Sequence, residues 1–201
     1  AINKSKEIYK GIIIHRSPMI PRGRNGFQLA LNFISFAFLS SIMAPFYFRK
    51  NNYDILFVYE PSPITVGMPA LVIKQIKKIP IVFWMQDLWP ESLSATGAIR
   101  SKSALKIVEL LVRMIYKGCD RVLAQSKAFI PSIVQLGGDA DRICYFPNSA
   151  DSLYRPTSLP ADAAERSLVP DGFRAVFAGN IGAAQDFHTI LTAAEKLKAK
   201  K

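Results

Sequence analysis

Short apolar runs, each closed by a polar or charged residue, alternate along this chain with longer stretches of helical period. The first run, Gly11 to His15, reads as a buried strand. The second, Tyr53 to Glu60, has an entry acid, a β-rich interior and a polar exit. A helical stretch from Ile64 to Lys78 then leads into Pro80–Gln86, which completes a βαβ unit. A third pass predicts an amphipathic helix from Ser101 to Lys117, a strand over Asp120–Ser126, a helix from Lys127 and a strand over Arg142–Phe146. Alternation of this kind predicts an α/β fold with a Rossmann-like, doubly wound parallel sheet.

The pattern fails between Asn148 and Asp171, where Pro156, Pro160 and Pro170 punctuate small and polar residues. The expected organisation is therefore a first domain over 1–149, a linker over 150–171 and the opening of a second domain over 172–201. In that last part Phe173–Ala178 reads as a buried strand and Gly179 to Gly182 as a tight turn. Asp186–Lys200 follows as a helix with Ile190, Leu191, Ala194 and Leu197 on one face.

Residues 27–48 stand apart because they carry no charge, yet Arg22 and Arg24 precede them and Arg49 and Lys50 follow. The stretch is long enough to span a membrane, but Gln28, Asn32, three serines and Pro45 dilute it. A span, a helix dipping into the bilayer surface and a buried helix all remain open. Lys and Arg number 26 against 15 Asp and Glu, a formal net charge of +11, which favours an anionic partner. The basic residues are scattered without a recognition motif, so nucleic acid is not the expected one. Cys119 and Cys144 have neither the count nor the spacing of a disulfide framework, and both are expected to pack as small apolar residues. His15 and His188 lie far apart with no metal-ligand spacing around them, so no metal is expected.

The chemistry concentrates at strand exits. An apolar run stops at Asp87, and Trp89, Pro90 and Glu91 follow at once. Strands of an open α/β sheet present ligand-binding residues from their carboxyl ends. Asp87 is thus the candidate catalytic carboxylate, with capping of the next turn as the alternative. Trp84 lies within the run and is expected in the core, which leaves Trp89 as the aromatic contact candidate. Glu91 and Glu60 each read either as cleft residues or as ordinary surface carboxylates. The basic loop of Arg16, Arg22 and Arg24 reads either as a phosphate contact or as solvated surface. Gly179, Asn180 and Gly182 would let backbone N–H groups approach a phosphate.

Tyr59–Pro63, Gln86–Ser92, Pro147–Asp151 and Phe177–Gly182, in that order, resemble glycosyltransferase family 4 of the GT-B fold. The likeness is strongest to the branch that builds bacterial surface polysaccharides with amino-deoxy sugars such as N-acetylfucosamine. The resemblance implies a retaining transfer from a nucleoside-diphosphate sugar to a lipid-diphosphate-linked acceptor, without a metal or other cofactor. It implies a site at the cytoplasmic face of an anionic membrane, with Asp87 beside the reacting sugar and Glu60, Trp89, Glu91, Arg22 and Arg24 on the acceptor side. Gly179, Asn180 and Gly182 would meet the donor diphosphate, and Asn148 with Asp151 resembles the family's hinge, with turn formation as the alternative. The arginine and lysine that many members place near Asn180 and Gln185 are missing. By the same resemblance the chain is most of the first domain plus the start of an incomplete second one: the family's first strand and glycine-rich loop would precede Ala1, the main donor-binding residues would follow Lys201, and the polypeptide alone would be inactive. Two other readings stand beside this one: a silent membrane-associated binding module, and a sugar-nucleotide epimerase, whose histidine and acid constellation is not found.

Overall fold

A computed structural model of the chain describes residues 5–23, 25–168, 172–182 and 185–198. It divides into two units, Ala1–Asn148 and Ser149–Lys201. The first contains a four-stranded parallel sheet, β3 (Leu56–Glu60), β4 (Ile81–Met85), β5 (Arg121–Ala124) and β6 (Ile143–Tyr145), hydrogen-bonded in that order. Helices α2 (Gly67–Lys77), α4 (Lys102–Gly118) and α5 (Ile130–Gln135) link consecutive strands, with short α3 (Glu91–Ala95) after β4. The expected α/β, Rossmann-like architecture is therefore present.

Alternation along β4 shows how the sheet is held. Ile81, Phe83 and Met85 are fully buried and meet Ile64, Val112, Ile115 and Ile133. Each such side chain stabilises the fold by roughly 1.5–3 kcal/mol. Val112, Ile115 and Tyr116 recur at helical spacing on α4, whose N-terminus is closed by the Ser101 hydroxyl accepting from the Ala104 N–H. Gly67 lets α2 lie close: a Cβ there would stand 2.8 Å from Ile115 Cγ2 and 3.1 Å from Phe83 Cε2. The other sheet face carries Phe57, Tyr59, Trp84 and Cys144, which are exposed or half-buried.

Three expectations need correction here. Residues 11–15 do not form a buried strand of this sheet. They supply β2 (Ile12–His15), which pairs antiparallel with β1 (Lys6–Tyr9) in a separate exposed hairpin. Its turn places Lys10 and Gly11 at φ 49° and 83°, a two-residue reversal that Lys-Gly signals weakly. Trp84 is not in the core but on the open sheet face among Phe57, Tyr59 and Phe146. Cys144 is exposed on the same face, two strands away, whereas Cys119 is buried and its thiol is pushed up to about 12, mainly by burial.

The uncharged stretch becomes α1 (Gly26–Phe48), capped by Asn25 and packed on α2. Its polar residues find partners inside the protein: Asn32, which is buried, donates to the Ile20 carbonyl, and the Ser35 hydroxyl accepts from the Ile20 N–H at 2.9 Å. These bonds fasten the preceding loop to the helix. Ile34, Phe38, Ile42 and Phe46, four residues apart, stay exposed along one stripe.

In the second unit, residues 172–182 form no strand, and Phe173 is fully exposed. A strand needs a neighbour for its ladder, and the described residues of this unit provide none. Helix α6 (Phe187–Lys198) forms close to expectation, with Ile190, Leu191 and Leu197 exposed.

Candidate functional site

Backbone pairing at the carboxyl end of the sheet continues past the strands and fixes the first polar residue after each. The Gln86 N–H donates to the Glu60 carbonyl at 3.0 Å, so the chain leaves β4 directly alongside the last residue of β3. The Gln125 side-chain amide donates to the Gln86 carbonyl at 2.7 Å and accepts from Asn148 at 3.1 Å. Gln86, Gln125 and Asn148 thus tie the exits of β4, β5 and β6 together. Sequence reading missed this row, although part of its signal was present as the amide side chains of Gln125 and Asn148 close after two apolar runs.

Asp87 sits on this rim, half-buried, and its carboxylate accepts the Trp89 indole N–H at 3.2 Å. Trp89 is only 5 % exposed and meets Phe33 of α1 edge-on at 6.3 Å. The expected roles of the two tryptophans are therefore exchanged in burial: Trp89 is an internal strut for Asp87, and Trp84 is the accessible ring. Pro90 and a buried indole leave the 87–91 loop few alternative conformations. Glu91 opens α3 and is exposed, lining a groove with Glu109, Arg113 and Gln135.

Glu60 is not the surface carboxylate of its alternative reading. It is 0 % exposed, and neither carboxyl oxygen has a hydrogen-bond partner. Burial pushes its carboxyl up to about 8; the nearby Asp87, Gln86 and Ser62 backbone amides pull the other way, while the Asp87 charge adds to the rise. Ser62, two residues on, holds φ at +109°, a region that non-glycine residues rarely enter. Thr65 Oγ1, Gln86 Nε2 and Ser92 Oγ are likewise buried without partners. Orphaned polar atoms at one end of a sheet are the usual mark of a place that awaits something polar.

Arg22 is exposed in the loop before α1, and Arg24 lies outside the described residues. Arg16 is drawn away from that loop by Glu7, at 2.6 Å across the hairpin. In the second unit Gly179, Asn180 and Gly182 are exposed. The Gly182 N–H is engaged by Gln185 Oε1 at 3.0 Å, and Asp186 closes the start of α6 through Thr189. A carboxylate already fills the position at which a helix N-terminus would take a phosphate.

A parallel sheet with its acids and amides gathered at the strand exits defines the α/β class that binds ligands at its carboxyl edge. The chain belongs to the family described as Glycosyl transferase 4-like domain, which matches residues 9–149, more than two thirds of its length. Asp87, Glu60, Trp89, Glu91 and Arg22 all fall within the match, whereas Gly179, Asn180 and Gly182 lie beyond it. No curated protein matches the chain. The rim just described is accordingly part of a glycosyltransferase domain.

Proposed function

We propose that this glycosyltransferase moves an amino-deoxy hexose, with retention of configuration, from a nucleoside diphosphate to a lipid-diphosphate-linked acceptor during assembly of a bacterial surface polysaccharide. The observation that carries this reading is Asp87, a carboxylate at the carboxyl edge of the matched domain that is held in one orientation by a buried indole. A fixed carboxylate there orients the acceptor hydroxyl or stabilises positive charge that develops on the donor sugar. Exposed Arg22 and Glu91 are suited to the acceptor side; at the 179–182 turn Gln185 already holds the Gly182 N–H, which leaves the exposed Asn180 as the group to meet the donor diphosphate.

Membrane attachment is supported by α1. An exposed stripe of Ile34, Phe38, Ile42 and Phe46 on a helix bounded by basic residues suits the surface of an anionic leaflet. Packing of the opposite side on α2, with Asn32 and Ser35 bonded to the preceding loop, favours a helix lying on the bilayer.

Sugar transfer from a nucleotide-sugar panel to a polyprenyl-diphosphate acceptor, measured on the full native chain and its Asp87→Asn variant, tests the chemistry. Transfer that is lost in the variant supports the reading, and transfer that survives removes Asp87 from the mechanism. Co-sedimentation with vesicles tests the membrane claim. Binding to phosphatidylglycerol-containing vesicles that falls with salt and with Phe38→Ser is expected; equal binding to neutral vesicles, or to none, would refute it.

A further inference from the structure

Glu60 is among the largest side chains that the fold buries completely, and its position is costly unless it does something for the loop above it. It closes β3 opposite Met85, the last residue of β4, so its neighbours are the residues that carry Asp87. The backbone amides of Asp87, Gln86 and Ser62 are near enough to its carboxyl to favour the charged form somewhat. Neither oxygen makes a formed hydrogen bond. A neutral carboxyl tolerates this environment far better than a carboxylate does.

The charges around Glu60 favour the same state. Asp87 acts on it from the 86–91 loop. Tyr116 of α4 lies within electrostatic reach of Glu60, Asp87, Glu91 and Cys119, and its phenol is held far above the ordinary range, burial first and those acids next. Helix α1 brings no charged side chain between Gly26 and Phe48. The lysines of α2 are occupied at the opposite end of the sheet, Lys74 with Asp120 and Gly118, and Lys77 with the Arg49 and Asn51 carbonyls.

We propose that Glu60 is a positioning residue for Asp87: its carboxyl, carrying a proton, is the seat on which the 86–91 loop rests, and loss of that proton unseats the loop. The proposal rests on the reading of Asp87 as the reacting carboxylate and adds a built-in alkaline limit to its placement. Ionised Glu60 would stand buried beside the negative charge of Asp87, with no cation to meet it among the described residues. The path of least cost is then outward movement of the loop, which admits water to Glu60 and withdraws the Trp89 strut from Asp87.

The test needs no substrate. The two tryptophans are replaced biosynthetically by 5-fluorotryptophan, their resonances are assigned with Trp84→Phe, and fluorine NMR spectra are recorded from neutral to alkaline pH. The Trp89 resonance is expected to shift with a midpoint near 8 in the wild type and to stay flat in Glu60→Gln, while the Trp84 resonance does not follow. If Glu60→Gln fails to fold, Asp87→Asn serves instead: with the neighbouring negative charge removed, the midpoint must move to lower pH. A Trp89 resonance that is flat in the wild type, or a transition that persists in Glu60→Gln or is unmoved in Asp87→Asn, overturns the proposal. Such a failure leaves the role of Asp87 in transfer untouched. Conversely, transfer that survives Asp87→Asn leaves the titration standing and removes only its catalytic meaning.

Discussion

The two ends of the parallel sheet treat a carboxylate in opposite ways. At the amino end, Asp120 accepts from Lys74 at 2.6 Å and from the Ile81 N–H at 2.8 Å. Burial alone would raise its carboxyl, but those bonds, with the charges of Lys74 and Arg142, hold it below the usual range. At the carboxyl end Glu60 has no cation and no formed hydrogen bond among the described residues, and it rises to about 8. One end is satisfied and so contributes to stability; the other is left short of partners, as ligand-binding sites tend to be.

Three substitutions sharpen that contrast. The largest effect is expected from Asp87→Asn, which keeps the shape of the rim and removes its charge. Transfer should fall by about 10²–10⁴, some 3–5 kcal/mol in the barrier, with little change in Tm.

Next comes Glu60→Gln, read as stability against pH. The folded state binds this proton more tightly than the unfolded chain does, so the wild type is most stable relative to the variant below the ordinary glutamate range. It loses that advantage as pH rises towards 8, by up to roughly 1.4 kcal/mol per pH unit. Denaturant titrations at several pH values should therefore show the wild type weakening against Glu60→Gln up to about pH 8 and running parallel above it. Parallel curves throughout would mean that the carboxyl is already ionised in the fold.

The smallest effect belongs to Asp120→Asn, a loss of about 1–2 kcal/mol after allowance for solvent screening of a partly exposed pair. Its sign is opposite: the contribution is present above the unfolded aspartate pKa and disappears as pH falls through the lower, folded one. Wild type and Asp120→Asn should converge in acid.

Much of the frame could be read from the sequence because its signals are local. Each core strand is a bounded apolar run, and α2, α4 and α6 carry helical periodicity over nearly the expected ranges. Residues 11–15 and 173–178 were misjudged because an apolar run specifies extended backbone but not its partner. The site was half legible. Position at a strand exit picked out Asp87 and the neighbouring Glu60, but whether Glu60 is a surface or a buried acid depends on what α4 and the 86–91 loop place over it. The exchange of the tryptophans has the same cause: Trp84 lies in an apolar run but alternates onto the open face, while Trp89, set among polar residues, is covered by Phe33 from fifty-six positions earlier.

The most direct test of this division is sugar transfer per folded molecule in Asp87→Asn and Asp120→Asn, measured side by side with the wild type. Asp87→Asn should be nearly inactive at an unchanged Tm, and Asp120→Asn should keep its turnover while melting lower. The reverse pattern, with Asp87→Asn active and Asp120→Asn silent though folded, would contradict the assignment of chemistry to the carboxyl end.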